Sequence, residues 1–235
     1  MNEGSPADQT TVIIPTLNEY NNIGVMISHL LSIHPQISII VSDDGSTDGT
    51  ADVVMEWNNK NPKVIFLDRK EELVKGLTIS LVDALNITKT KYFFVIDCDF
   101  QHPPDKISEG IKLLAEGNQI VIGTRSSVEG WGFSRKVISW GAKTLGKISL
   151  LIRRKPHPKD IVSGFFGGEV DFARNLIKDN PKTISPKGYK LLFDLLKVMP
   201  RKTPIGEFYY VFNVRERGES KISSKHIMVY FRSLF

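Results

Sequence analysis

Cysteine is nearly absent: Cys98 is the single one in 235 residues. One cysteine excludes an intrachain disulfide and every zinc site built on cysteines, and it fits a reducing compartment. Histidine is sparse as well, and His102 and His157 stand at no metal-ligand spacing with a partner. No run approaches the roughly 18 apolar residues of a membrane-spanning helix. Residues 1–9 form a polar arm without an apolar core, so no secretory signal peptide is expected. The first strand is not followed by G-x-G-x-x-G, and no P-loop occurs anywhere, which excludes the usual glycine-loop routes to dinucleotides and triphosphates. The chain has no internal repeat, no low-complexity block and no nucleic-acid-reading signature, so nucleic acid is not an expected partner.

What remains is an ordinary globular composition, with 41% hydrophobic and 24% charged residues. The formal charge of +5 points to anionic partners such as phosphates or an anionic membrane surface. The length suits one large α/β domain.

β-Branched or apolar runs at Thr10–Pro15, Ile37–Val41, Val64–Leu67 and Tyr92–Ile96 alternate with helical spacing over Ile23–Leu31, Ala51–Trp57 and Leu77–Leu85. That alternation predicts a doubly wound, mostly parallel sheet with helices on both faces. The strand ends carry acids: Glu19 after the first, Asp43 and Asp44 after the second, Asp97 and Asp99 after the fourth. Open α/β sheets bind ligands at these ends. Tyr92–Ile96 reads as a strand buried on both faces, stopped by Asp97-Cys98-Asp99-Phe100-Gln101-His102-Pro103-Pro104. Asp97, Asp99 and Gln101 could offer oxygens to a hard divalent cation that leaves room for substrate phosphates. The alternative is that both aspartates only cap the strand and its turn. Asp48 reads as a helix cap.

The second half supplies positive charge. Gln119–Thr124 reads as a strand delivering Arg125, either to a substrate or to a salt bridge on the sheet rim. Trp131–Ala142 opens a helix in which Arg135 and Ser139, at i,i+4, share a face suited to a phosphate monoester. A helix is expected from Ser185, and a last strand at Glu207–Val214. The run Arg153-Arg154-Lys155 reads as a solvated loop or a membrane-facing one.

Three segments, Pro15-Thr16-Leu17-Asn18-Glu19, Asp43-Asp44-Gly45-Ser46-Thr47-Asp48-Gly49-Thr50 and Asp97 to Pro104, together resemble family 2 glycosyltransferases of the GT-A fold. More narrowly, they resemble the branch that makes dolichol-phosphate mannose. The D-x-D-x-Q-H-P-P run is the specific part, and the resemblance extends from Thr10 to Ile222.

It implies that Asp97, Asp99 and Gln101 hold Mg²⁺ or Mn²⁺ on a sugar-nucleotide diphosphate, with Cys98 beside the nucleotide. Pro15, Leu17, Glu19, Val41 and Asp43 would line the nucleoside pocket. Arg125, Arg135 and Ser139 would meet the acceptor phosphate. Asp160-Ile161-Val162-Ser163-Gly164-Phe165 matches the family's D-x-x-S-G-F, and Arg215 to Lys221 its R-x-x-G-x-S-K, which puts Arg215 and Lys221 on substrate phosphates. The implied reaction inverts the anomeric carbon: GDP-mannose and dolichyl or polyprenyl phosphate give the β-mannosyl lipid and GDP. Because the acceptor phosphate is already an anionic nucleophile, no side-chain base is required.

The implied setting is peripheral, on the cytoplasmic face of a membrane. Residues 223–235 are then an amphipathic interface helix or a packed terminal one, and small membrane subunits are left open as partners. The chain departs from the family's K-x-G-L-G-x-A pattern, reading Lys75-Gly76-Leu77-Thr78-Ile79-Ser80. Alternatives to the mannosyl reading are a UDP-glucose-dependent transferase on the same fold and a non-catalytic nucleotide-sugar-binding protein. A processive polysaccharide synthase is disfavoured, because no Q-x-x-R-W occurs.

Overall fold

The first half builds as the alternation predicts. β1 (Thr10–Thr16), β2 (Ser38–Asp43), β3 (Val64–Asp68) and β4 (Tyr92–Val95) are parallel, joined by α1 (Tyr20–Ile33), α2 (Thr50–Lys60) and α3 (Leu77–Ile87). The computed structural model describes residues 5–128, 133–186, 188 and 190–213, with side chains at all of these except 133–139 and 142. The second half adds α4 (Ile107–Ala115), β5 (Ile120–Val128), α5 (Phe133–Ile152), β6 (Phe166–Glu169), α6 (Val170–Asp179), α7 (Leu191–Val198) and β7 (Ile205–Phe212).

Among the described residues the strands form one seven-stranded sheet in the order β3-β2-β1-β4-β6-β5-β7. Only β6 runs against its neighbours β4 and β5, so the sheet is mostly parallel, as expected. Side-chain alternation sorts the core into two layers. Val12 and Ile14 of β1 and Phe94 of β4 pack on α1, α2 and α4. Ile13, Phe93 and Val95 pack on α3, α6 and α7. This double covering explains why β4 is a continuous apolar run.

β6 was not legible as a strand. Its sequence, Phe166-Gly167-Gly168-Glu169, is half glycine, which weakens strand propensity. The glycines serve close approach instead: a Cβ on Gly167 would stand 2.5 Å from the Phe93 carbonyl oxygen, and one on Gly168 2.8 Å from that of Gln119. The sheet can close between β4 and β5 only over a strand without side chains there.

Boundaries near the site differ from the sequence reading. β5 runs on to Val128, so Arg125 sits within the strand rather than at its end, at a register shift between Arg125 and Ser127 against β7. Such irregularities re-aim side chains. α7 begins at Leu191, not Ser185, because the preceding residues turn: Gly188 N–H donates to the Ser185 carbonyl, and its own carbonyl accepts from Thr78 N–H at the start of α3. β7 spans Ile205–Phe212, and Val214 lies outside the described residues.

Candidate active site

The strand order reverses between β1 and β4, with β2 and β3 on one side and the remaining strands on the other. A crevice must open beyond the carboxyl ends of that pair, because their connections leave in opposite directions. A cleft of about 340 Å³ is found there. Pro15, Leu17 and Glu19 line it from the end of β1, and Asp97, Cys98 and Asp99 from the end of β4. Gly76, Gly164 and Lys190 contribute from neighbouring segments.

The acidic turn after β2 braces this cleft more than it lines it. The Asp43 side chain is only 1% exposed. It accepts from Thr16 Oγ1 (2.9 Å), from the N–H groups of Gly45 and Ser46, and from Ser46 Oγ. Val41 is fully buried in the core layer under α1 and α2. Alternation along a doubly covered strand turns Val41 inward, and backbone and hydroxyl donors surround Asp43, so neither is among the residues lining the cleft. Asp44 is the residue of that pair that reaches the cleft wall. It accepts from Arg69 Nε and from Gly76 N–H, both at 2.8 Å, and so ties the Lys75-Gly76-Leu77 segment down. Asp48 caps, as read from sequence: it accepts from Thr50 N–H at the start of α2 and from Tyr20 N–H at the start of α1.

The turn after β4 sets the carboxylates apart. Asp99 is 5% exposed and accepts from the Gln101 N–H at 3.1 Å, whereas the Asp97 side chain is 45% exposed. Between Asp99 and Gln101, Phe100 takes the left-handed conformation (φ +59°), a costly geometry for a bulky residue, and its ring packs edge-on against His29. The Gln101 amide donates to the Asn213 carbonyl, which leaves its oxygen as the atom available for a ligand role. Burial pushes the Cys98 thiol well up, reinforced by the charges of Glu19, Asp97 and Asp99. It is therefore a neutral thiol in an anionic cleft, not a nucleophile.

Among the described residues no three His, Cys, Asp or Glu side chains converge on one point. The donor set fits a hard divalent cation held by one or two carboxylates that takes its other ligands from water and phosphate.

Positive charge approaches from two directions. Lys190, half-buried at the rim, donates to the Val162 carbonyl, and burial with the nearby Arg125 charge lowers its pKa to about 8. Its role was not legible, since it precedes α7 in a stretch expected to be helical. Deeper, Arg125 donates to Asp160 from Nε (2.6 Å) and from Nη2 (2.9 Å), and Lys143 Nζ joins the same carboxylate at 3.0 Å. Burial would raise the Asp160 pKa, but the Arg125 hydrogen bonds and the two cations hold it well below the usual range. A salt bridge, the alternative read for Arg125, is thus present, but buried rather than on the sheet rim. Lys143 continues the i,i+4 series of Arg135 and Ser139 along α5, and that spacing is its only signal in the sequence. The side chains of Arg135 and Ser139, and all of Arg215 and Lys221, lie outside the described residues. Ser163 Oγ donates to the Gly123 carbonyl and so pins the loop before β6.

The mostly parallel sheet thus carries an acidic cleft at its switch point, with Lys190 on its wall. The Glycosyl transferase family 2 profile matches residues 11–176, and the chain belongs to that family.

It is 33% identical over 233 residues to the dolichol-phosphate mannosyltransferase of Pyrococcus furiosus, covering 97% of this chain but 63% of that protein. The chain therefore spans under two thirds of that relative's length. It is 29% identical to the Saccharomyces cerevisiae dolichol-phosphate mannosyltransferase, covering 95% of this chain and 85% of the other. Polyprenol monophosphomannose synthase of Mycolicibacterium smegmatis is 27% identical, with 94% and 84% covered.

Among solved structures, glucosyl-3-phosphoglycerate synthase from Mycobacterium tuberculosis, in complex with Mn²⁺, UDP and phosphoglyceric acid, superposes with a TM-score of 0.66 at 17% identity, covering 96% of this chain and 77% of that one. Mannosyl-3-phosphoglycerate synthase from Rubrobacter xylanophilus gives 0.65 at 17%, covering 96% and 72%. These two show that the GT-A fold is shared.

Proposed function

We propose that this chain transfers mannose from GDP-mannose to a dolichyl or polyprenyl phosphate, with inversion, at a membrane surface. The observation that carries the reading is the pair Asp97 and Asp99 at the end of β4, facing a cleft whose opposite wall carries Lys190 and leads to the Arg125–Asp160–Lys143 cluster. The names of the three relatives supply the sugar and the acceptor class.

Asp97, Asp99 and the Gln101 oxygen would hold Mg²⁺ or Mn²⁺. When bound, the cation would neutralise charge developing on the diphosphate. The Pro15-Thr16-Leu17 segment and Glu19 would bound the nucleoside, and Lys190 would face the donor phosphates. The acceptor oxygen would approach from the Arg125 side, screened by Lys143 and by Arg135 and Ser139 on α5. Arg215 and Lys221 would meet the phosphates from the segment after β7. Aligning two anions is the main task, and cations on a rigid scaffold perform it without a general base.

The membrane part of the reading rests on α5. Trp140, Ile148, Leu151 and Ile152 are exposed along one stripe, while Leu150 faces the core. Every charged residue of the helix (Arg135, Lys136, Lys143, Lys147) is basic, and Arg153 and Arg154 follow it. An exposed apolar stripe on a helix whose sequence carries only basic charge suits the interface of an anionic bilayer. Among the described residues no helix is long and apolar enough to cross a membrane.

The test is transfer of label from GDP-mannose, with UDP-glucose in parallel, to polyprenyl phosphate in anionic vesicles. Mannolipid from GDP-mannose alone supports the reading. Glucolipid alone would replace the sugar, and nucleotide binding with neither product would contradict the enzyme.

A further inference from the structure

His102 is the group the mechanism above leaves unused. Its imidazole is 3% exposed, in a carbon shell formed by Phe165, Tyr210 and Phe212 with ring centroids 5.4 to 5.6 Å away.

Nδ1 has no hydrogen-bond partner although it is closed to water. A buried polar atom left in that state costs about 1–3 kcal/mol, which calls for an explanation. The acceptor it faces is Oδ2 of Asp97, 3.6 Å away and just beyond hydrogen-bond reach. Gly164 closes over the pair: a Cβ there would stand 3.2 Å from His102 Cε1 and 3.3 Å from Asp97 Oδ2. Any side chain at 164 would crowd both groups and oppose their closing. Two residues of the turn after β4 and one from the loop before β6 are therefore arranged around one short gap.

We infer that His102 is a positioning residue: it donates Nδ1–H to Oδ2 of Asp97 and so presents the other carboxylate oxygen to the cation. The inference rests on the reading of Asp97 and Asp99 as cation ligands. Carboxylates that ligate metals are held by hydrogen bonds in turn, and losing such a partner lowers metal affinity roughly 10–100-fold. Bonds of this type are often long in the empty site and shorten when the ligand arrives. The aromatic shell fixes the ring plane and so the direction of the Nδ1–H. The arrangement spans the sequence Asp97 to His102, which ties the histidine of the D-x-D-x-Q-H run to the metal rather than to packing alone.

The test titrates Mn²⁺ in the presence of GDP, followed by electron paramagnetic resonance, for the full chain, His102→Phe, His102→Asn and Asp99→Ala. His102→Phe keeps an aromatic ring in the shell and removes the donor; its Mn²⁺ affinity is expected to fall roughly 10–100-fold while its melting temperature holds or rises. His102→Asn returns an N–H near the Nδ1 position and is expected to recover most of the affinity. ¹⁵N spectra of the metal-free protein, with His102 assigned by the His102→Phe variant, are expected to show the Nδ1–H tautomer.

An unchanged affinity in His102→Phe, equal losses in both variants, or an Nε2–H tautomer would each overturn the inference. Should the unmodified chain itself fail to bind Mn²⁺ with GDP, the metal reading falls and takes the inference with it. That outcome is distinct, because it needs no variant to be seen.

Discussion

Asp160 grips Arg125 through two parallel hydrogen bonds, Nε–Oδ2 at 2.6 Å and Nη2–Oδ1 at 2.9 Å, with its carboxylate almost closed to solvent. The fork geometry fixes the guanidinium against β5, and Lys143 on the same carboxylate brings α5 to that point. Removing the carboxylate would leave two cations facing each other with little water to screen them. Asp160→Asn is expected to cost about 3–5 kcal/mol of stability, as breaking a buried pair does, measured by urea unfolding.

The same pair fixes an acid dependence. The folded-state pKa of Asp160 is depressed, so its stabilisation is complete above the unfolded carboxylate value of about 3.9 and is lost as pH falls below it towards the folded value. Unfolding midpoints of the unmodified chain should fall as pH is lowered from about 4. In Asp160→Asn that part of the slope should be missing, and an unchanged slope would contradict the assignment.

Lys190 offers a test of the donor side. Lys190→Met keeps the stem and removes the charge. If the ammonium meets the donor phosphates, the variant should lose about 1.5–3 kcal/mol of affinity for GDP, the worth of a hydrogen bond to a charged group. Isothermal titration with GDP checks this, and affinity within twofold of the unmodified chain would assign Lys190 a structural role, such as its bond to the Val162 carbonyl.

Much of this was legible and some was not, for reasons that lie in particular residues. The β-branched runs and the acids after them marked β1 to β4 and the crevice, because a doubly covered parallel strand must be apolar and must end in something polar. β6 was hidden because close approach to Phe93 and Gln119 demanded glycines, which erased its strand pattern. An acid at a strand end reads as a ligand from sequence alone; that Asp43 also braces a turn is visible only in the four donors around it, from Thr16, Gly45 and Ser46. The Arg125–Asp160 pair was half visible, as one of two alternatives, since the partners are 35 residues apart and spacing says nothing about that distance. Lys143 could have been found by extending the Arg135, Ser139 series one more turn.

The glycine argument has its own test. Gly167→Ala would place a methyl group 2.5 Å from the Phe93 carbonyl oxygen, which is backbone and has little room to give. A loss of about 1–3 kcal/mol, typical of overpacking, is expected in urea unfolding. Stability equal to the unmodified chain would mean that β6 tolerates a wider spacing than its register with β4 implies.

For α5, replacing Trp140 and Leu151 together by serine removes two exposed apolar groups. Stability should change little, by about 0.5 kcal/mol or less per site. Binding to anionic vesicles should fall by at least tenfold, since burying one such side chain is worth about 1.5–3 kcal/mol. Sedimentation with vesicles at low and high salt reads both the apolar and the basic contribution. Undiminished sedimentation would move the membrane contact elsewhere on the chain.

The most direct test of the central claim is mannolipid formation by the unmodified chain and by Asp99→Ala, from labelled GDP-mannose and polyprenyl phosphate, with Mn²⁺ and with chelator. The account predicts product that depends on the added cation and falls at least roughly 10²-fold in the variant, since the metal contributes several kcal/mol of charge stabilisation. Product that survives both the chelator and the Asp99→Ala change would contradict it.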